Sequence, residues 1–138
     1  MVSKDERQTR TDFSERYRAR ATVDILDDIE RRVIGEVWGA SGYTTVAEAL
    51  RILGRLDLRP ETRLLDIGSG FGWPGLFLAR ESGCEVIVTD MPTEGLEISA
   101  TRANAENVKL LGAVACSGRY LPFADGSFDA IVHTDVLC

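Results

Sequence analysis

A glycine-rich turn in the middle of the chain constrains its fold more than any other feature. Apolar residues and Asp66 lead into three alternating glycines, Gly68, Gly70 and Gly72. Pro74 and the apolar residues after it predict that a helix begins directly behind the turn. Glycine adopts backbone angles that a Cβ forbids, so a ligand can approach the main chain and the helix N-terminus closely. The strand, turn and helix together indicate a binding site for a nucleotide-like cofactor.

Length and composition are those of a single globular domain. The chain has 138 residues, 44% of them hydrophobic, and a formal net charge of −6. It has no apolar stretch of about 18 residues and no basic stripe with interleaved aromatic side chains, which predicts neither a membrane span nor a nucleic-acid partner. Its three cysteines, Cys84, Cys116 and Cys138, lack metal-ligand spacing. We therefore expect reduced thiols, no metal site and a cytoplasmic protein.

The hydrophobic pattern over residues 1–60 predicts an N-terminal helical lid segment. The first ten residues lack a periodic pattern and are expected to be frayed. The clearest helix is predicted over residues 22–38. Its buried face is predicted to carry four apolar side chains: Leu26, Ile29, Val33 and Val37. Thr45 and Glu48 form a capping box that starts the next helix.

Residues 61–138 alternate between apolar strands and helices. Strands are predicted near residues 63–67, 85–89, 112–116 and 128–133. Helices are predicted near residues 74–81 and 94–107. This alternation predicts an α/β fold whose parallel sheet is covered by helices. We interpret this region as the cofactor-binding half of a domain.

A second acidic residue, Asp90, ends the second predicted strand 22 positions after Gly68. Ligands of open parallel sheets bind beyond the carboxyl ends of the strands, where a carboxylate can accept hydrogen bonds from both ribose hydroxyls. Trp73 stands where the dinucleotide-binding pattern has its third glycine. Asp66 would repel a pyrophosphate but favours an ammonium group. These features favour a nucleoside joined to an amino acid over a dinucleotide.

The chain resembles the class I S-adenosylmethionine-dependent methyltransferases, and within them the small-molecule branch that includes quinone-biosynthesis enzymes. The glycine turn, Asp90 and the run LPFADGSFDAIV from Leu121 to Val132 carry this resemblance, which covers about residues 62–135. It implies a Rossmann-like fold with a partial parallel sheet of strand order 3-2-1-4, preceded by N-terminal helices. It also implies S-adenosylmethionine as cofactor and a small-molecule methyl acceptor.

The resemblance assigns cofactor contacts to the strand ends. The methionine part would face Asp66 and the backbone of three turn residues. These are Gly68, Ser69 and Gly70. Asp90 would hold the ribose, and Met91 would pack against the adenine. The sequence identifies no catalytic residue, because transfer of a sulfonium methyl group mainly requires the two reactants to be held in line and close.

The adenine contact departs from the family pattern. The family usually has an aspartate that binds the adenine amino group at the position of Ser117. Here the hydroxyl of Ser117 and the N–H of Gly118 would contact the adenine. At the end of the fourth strand, His133 would lie beside the methionine part. His133 and Asp135 are also the nearest candidates for a general base, should the acceptor need one.

Four aromatic residues can either line a pocket for the positive sulfonium or pack in the core. They are Tyr17, Trp38, Tyr43 and Trp73. Core packing is the simpler interpretation of each. The sequence alone leaves the two roles open.

The family sheet has seven strands, whereas the predicted strands here end with the fourth. We therefore expect a truncated domain with a recognisable cofactor site and weak or absent methyl transfer. Two alternatives stay open. One is a non-catalytic remnant that assembles, for instance as a homodimer, through the open edge of the fourth strand. The other is an NAD-binding oxidoreductase domain, which Trp73 disfavours.

Overall fold

The computed structural model describes residues 3–20, 25–40 and 42–136. Its elements are α1 Lys4–Arg20, α2 Ile25–Val33, α3 Val46–Leu53, β1 Arg63–Ile67, α4 Gly75–Ser82, β2 Glu85–Asp90, α5 Thr93–Ala105, β3 Leu110–Ala115 and β4 Ala130–Val132. All strand pairs are parallel, and the sheet order is β3-β2-β1-β4. The predicted α/β fold and strand order are therefore confirmed.

The main core lies between the sheet and the helices α4 and α5. Leu64 of β1 pairs in register with Val86 of β2, and both side chains are fully buried. Leu76 and Leu78 of α4 belong to the same buried cluster. Each such side chain contributes about 1.5–3 kcal/mol through the removal of apolar surface from water. This packing fixes the ends of β1 and β2, which carry the glycine turn and Asp90.

Helix α1 begins at Lys4, so the prediction of a frayed N-terminus is wrong. Ser3 and Glu6 cap the helix reciprocally, because each backbone N–H donates to the other's side chain, at 2.8 and 3.1 Å. Ser14 donates to Glu94 of α5 at 3.0 Å, and Arg18 forms an ion pair with the same carboxylate. These polar contacts hold a helix that has almost no apolar periodicity, which is why the sequence pattern missed its beginning.

Helix α2 is shorter than predicted and turns a different face inward. It ends at Val33, two residues before Gly35 at φ +108°, and residues 22–24 of the prediction lie outside the described residues. Ile29 and Val33 were predicted to be buried, yet they are 53% and 60% exposed. Glu30 is buried instead, with an exposed fraction of 6%.

The carboxylate of Glu30 explains this orientation. It accepts backbone N–H bonds from three consecutive residues of the loop after α2 at 2.7–3.0 Å. These are Trp38, Gly39 and Ala40. It also pairs with the guanidinium of Arg20 at 2.6 Å. Buried backbone N–H groups need acceptors, so the helix directs a charged side chain inward.

Two local capping predictions are confirmed. Thr45 and Glu48 form the predicted capping box at the start of α3. Gly83 ends α4 in the left-handed conformation at φ +75°, as a C-cap glycine does. Among the described residues, no helix has both the length and the apolar character needed to cross a membrane. The same residues contain no group of three or more histidine, cysteine, aspartate or glutamate side chains arranged to hold a metal ion.

Candidate functional site

Asp90 connects the glycine turn to the end of β2. Its Oδ2 accepts the backbone N–H of Gly70 at 2.8 Å, and its Oδ1 accepts the N–H of Met91 at 2.7 Å. The hydroxyl of Tyr17, on α1, donates to the same Oδ2 at 3.1 Å. Burial raises the pKa of Asp90. Three donors therefore approach a carboxylate that offers about four lone-pair positions.

Two other N–H groups of the turn bond to the neighbouring strand. Those of Gly68 and Ser69 both donate to the carbonyl of Thr89, at 2.8 and 2.9 Å. The glycine turn predicts N–H groups that meet a ligand, whereas in the structure those of Gly68, Ser69 and Gly70 are all bonded within the protein. The parallel strand β2 ends beside the turn and supplies the acceptors. The turn is consequently a rigid, preformed structure.

Asp66 lies beneath the turn and not at its surface. Only 1% of the residue is exposed, and its Oδ2 accepts the N–H of Gly75 at 2.8 Å, which caps the start of α4. A Cβ on Gly75 would come within 2.5 Å of this oxygen, so the helix approaches because that residue is glycine. Burial, together with the negative charge of Asp90, raises the pKa of Asp66 to about 8.

Two oxygens below the turn lack partners. Asp66 Oδ1 and Ser69 Oγ are buried and form no hydrogen bond within the described residues. Buried polar atoms are nearly always paired in proteins, so such orphans mark a place where a polar ligand group fits. The next residue, Gly70, has a positive φ of +55°; its N–H donates to Asp90 at 2.8 Å and its carbonyl accepts the Ser99 hydroxyl at 3.3 Å. These residues fit the amino-acid end of the predicted cofactor.

The end of β3 lies beside the end of β2. The N–H of Cys116 donates to the carbonyl of Asp90 at 2.9 Å, which places Ser117 and Gly118 directly beyond this edge. The Ser117 hydroxyl donates to Glu6 Oε1 of α1 at 2.6 Å and accepts the N–H of Arg119 at 3.2 Å. The structure thus gathers the residues assigned to ribose and adenine at adjacent strand ends.

A cavity of about 380 Å³ lies between α1 and the segment that joins β2 to α5. Met91 and Pro92 line one side, and the α1 residues Arg10, Thr11 and Ser14 line the other. Met91, predicted to pack against adenine, therefore faces a space bounded by the N-terminal helix. The lid role of residues 1–60 stays a prediction.

The end of β4 lies on the opposite side of the turn. Val132 pairs in register with Asp66, so His133 follows beside the end of β1, and it is exposed. Asp135 Oδ2 accepts bonds from Tyr43 N, Thr44 N and Thr44 Oγ1 at 3.0–3.3 Å. Asp135 therefore fastens the loop before α3 to this end of the sheet.

The aromatic candidates separate into two groups. Trp38 and Trp73 are buried and pack together with a ring-centroid distance of 5.5 Å, so both belong to the core. Tyr43 is largely exposed. Tyr17 is buried against the ring of Phe71 at 5.0 Å while its hydroxyl reaches Asp90, which makes it part of the site.

Sequence reasoning missed Glu6 entirely. Its partner, Ser117, is 111 positions away, and α1 carries no apolar periodicity that would have indicated its inner face. One signal was available. Glu6, Arg10 and Tyr17 are spaced so that they share one face of a helix. If one of them faces the sheet, the other two are therefore expected to face it as well.

Comparison with known proteins identifies the family. Residues 65–138, which begin within β1 and include the glycine turn and β4, match the family model described as a methyltransferase domain. The chain therefore belongs to this family, and its class is that of the class I S-adenosylmethionine-dependent methyltransferases of the small-molecule type. The resemblance deduced from the turn, Asp90 and the Leu121–Val132 run is confirmed.

Relatives and solved structures extend well beyond this chain. It is 33% identical over 86 residues to glycine/sarcosine/dimethylglycine N-methyltransferase of Actinopolyspora halophila, which covers 62% of this chain and 15% of that protein. It is 38% identical over 79 residues to demethylmenaquinone methyltransferase of Beutenbergia cavernae, with coverages of 57% and 30%.

A methyltransferase from Thiobacillus denitrificans, solved with S-adenosyl-L-homocysteine, shares the fold with a TM-score of 0.56. The two are 23% identical, and the match covers 66% of this chain and 37% of that one. The chain thus spans less than half the length of each of these three proteins.

Proposed function

We propose that this chain binds S-adenosylmethionine at the carboxyl ends of β1, β2 and β3 and supports transfer of its methyl group to a small organic molecule. One observation carries the proposal: Asp90 is held by the N–H of Gly70 between the glycine turn and the end of β3. A cavity of about 380 Å³ is lined by Met91, the residue that follows Asp90. Family membership and the S-adenosylhomocysteine bound to the Thiobacillus denitrificans protein support the same ligand.

The arrangement of strand ends gives the cofactor a direction. Asp90 would accept hydrogen bonds from the ribose hydroxyls. The adenine would lie toward β3, in contact with three residues: Met91, Ser117 and Gly118. The amino-acid end would lie over β1, where the orphaned oxygens of Asp66 and Ser69 are found. Beyond that end lies β4 with His133.

When bound, S-adenosylmethionine supplies a methyl group on a positively charged sulfur, which leaves as a neutral thioether. The task of the chain is to hold the nucleoside rigidly so that the methyl group points at the acceptor. The acceptor would approach from the β4 side, past exposed His133 and Tyr43. We assign no catalytic residue, because a general base is needed only for an acceptor such as a poorly ionised hydroxyl.

The named activities of the relatives support a small-molecule acceptor. One relative is a glycine/sarcosine/dimethylglycine N-methyltransferase and another is a demethylmenaquinone methyltransferase. Amino acids and a quinone share no functional group that would be methylated, so the relatives support the size class of the acceptor and no finer assignment.

The dinucleotide alternative finds no support at the turn. The side chain of Trp73 is buried against Trp38 and Phe77 with ring centroids 5.5 and 5.3 Å away, and its Nε1 donates to the carbonyl of Thr44 at 3.0 Å. A pyrophosphate would require a close backbone approach at this position. The bulky indole instead forms part of the core below the turn.

Calorimetric titration of the chain distinguishes binding of S-adenosylmethionine from binding of a dinucleotide. We expect saturable binding of S-adenosylhomocysteine and S-adenosylmethionine and no binding of NAD. Binding of NAD without S-adenosylhomocysteine would reverse the assignment. A second assay, with radiolabelled methyl donor and a panel of small amines, phenols and quinols, tests the proposed transfer, which predicts labelling of at least one of these acceptors.

The edge strand β4 supports a second proposal, that two copies of the chain pair through this edge. Ile131 of β4 is 55% exposed on a strand that pairs on one side only within the described sheet. Exposed apolar edges tend to pair with another chain. Light scattering should give a dimer mass that Ile131→Lys lowers. Leu111→Lys, on the opposite edge strand, serves as the matched control, and a monomer mass at every concentration would refute the pairing.

A further inference from the structure

The nearest carboxylate to Ser117 comes from the N-terminal helix. We propose that Glu6 recognises the amino group of the adenine, and so supplies the carboxylate that the sequence lacks at position 117. This inference rests on the proposed binding of an adenosine-containing cofactor. It goes beyond that function because it assigns base recognition to a residue of α1, which lies outside the matched methyltransferase domain.

The hydrogen bonds of Glu6 leave it able to accept from a ligand. Its Oε1 accepts the Ser117 hydroxyl at 2.6 Å, and its Oε2 accepts the N–H of Ser3 at 2.8 Å. Two of its roughly four lone-pair positions are therefore used by these donors. Ser117 donates its single hydroxyl proton to Glu6, so the remaining lone pairs of the two side chains can only accept hydrogen bonds from a ligand.

The charge of Glu6 suits the purine edge. The Ser117 hydroxyl, with the capping bonds from Ser3, lowers the pKa of Glu6 to about 2. An ionised carboxylate can only accept hydrogen bonds, and the adenine amino group can only donate them. A purine with a carbonyl at the same position would instead place two acceptors against each other.

The position of α1 brings Glu6 to the adenine side of the site. Glu6, Arg10 and Tyr17 lie on one face of the helix, spaced by four and seven residues. Tyr17 contacts Asp90, which is assigned to the ribose, and Arg10 lines the cavity beside Met91. The helix therefore spans the nucleoside end of the site, with Glu6 beyond the cavity at the end of β3.

Base discrimination tests the inference without an activity assay. S-adenosylhomocysteine and S-inosylhomocysteine share the ribose and the homocysteine and differ at the purine 6-position, so the ratio of their dissociation constants isolates this contact. We expect the unaltered chain to prefer the adenosyl ligand by roughly tenfold or more, because an unmatched polar edge is rejected. Glu6→Gln should reduce or reverse the preference, since its amide can donate to the 6-carbonyl.

Two further variants make the experiment decisive. Asp5→Asn changes the neighbouring exposed acid on the same helix turn and should keep the preference unchanged. Ser117→Ala removes the hydroxyl that orients Glu6 but leaves the cap of α1 intact, and it should also reduce the preference. If the ratio of the two dissociation constants is unchanged in both Glu6→Gln and Ser117→Ala, the role of Glu6 is overturned, whereas the proposed cofactor site is not. Failure of the unaltered chain to bind either nucleoside would overturn both proposals.

Discussion

Asp66 combines two features that conflict energetically. It caps α4 through the N–H of Gly75, yet its other oxygen is buried without a partner within the described residues. A carboxylate in this position is costly to ionise. Its pKa of about 8 follows from burial and from the nearby charge of Asp90. Asp66 should therefore be protonated in the folded chain at neutral pH.

This protonation predicts a specific dependence of stability on pH. Unfolded aspartate releases its proton near pH 3.9, so between about pH 4 and 8 the folded chain holds one proton more than the unfolded chain. Stability from Asp66 is then complete below pH 4 and decreases as the pH rises toward 8. Asp66→Asn does not titrate. We expect the free energy of unfolding in urea, measured from pH 5 to pH 8, to change in favour of Asp66→Asn over the unaltered chain by about 1 kcal/mol or more. If the free energies of both proteins change in parallel with pH, the raised pKa is refuted.

Tyr17 competes with a ligand for the carboxylate of Asp90. Gly70, Met91 and Tyr17 already fill three of about four lone-pair positions, and two ribose hydroxyls need two of them. The two backbone donors are fixed by the turn, so a ribose hydroxyl must displace the hydrogen bond from the Tyr17 hydroxyl. Tyr17→Phe should bind S-adenosylhomocysteine about two- to tenfold more tightly, the equivalent of one neutral hydrogen bond. Weaker binding in calorimetry would mean that the hydroxyl orients Asp90 productively.

At the scale of elements, Glu30 holds α2 and its following loop together. Glu30→Ala would leave the loop N–H groups of Trp38, Gly39 and Ala40 and the charge of Arg20 without their acceptor. We expect a loss of about 2–4 kcal/mol in the free energy of unfolding. Glu30→Gln keeps one acceptor oxygen and should lose less. Asp28→Ala removes an exposed ion pair from the same helix and should change stability little.

The sequence predicted those elements whose apolar pattern matches their burial. β1, β2 and α4 are such elements, and the capping box of α3 and the C-cap Gly83 are local signals that need no tertiary contact. The helix α2 was predicted, but its buried face was predicted wrongly, because its orientation is set by the loop N–H groups that donate to Glu30. That requirement cannot be read from helical periodicity.

The candidate site shows the same division. The residues of the strand ends could be assigned because the turn and Asp90 carry a recognisable spacing. The contributions of α1 could not, because Tyr17 and Glu6 reach partners 73 and 111 positions away through a helix without apolar periodicity. The internal pairing of the turn N–H groups was also unpredictable, because it depends on the carbonyl of Thr89 in a neighbouring strand.

For the whole molecule, the central claim is that β1, β2 and β3 end in one nucleoside site organised by Asp90. A comparable aspartate at the amino end of β1 is Asp129, whose carboxylate accepts the N–H of Arg63 at 2.8 Å. Both aspartates thus bind backbone N–H groups, but only Asp90 lies at the proposed site. This gives a matched pair of substitutions, Asp90→Ala and Asp129→Ala.

The most direct test is calorimetric titration of both variants with S-adenosylhomocysteine, after circular dichroism confirms that each is folded. The account predicts that Asp90→Ala weakens binding by about 10- to 100-fold, the loss of about one hydrogen bond to a charged group. Asp129→Ala should bind like the unaltered chain. Equal affinity of Asp90→Ala and the unaltered chain would contradict the account and remove Asp90 from the site.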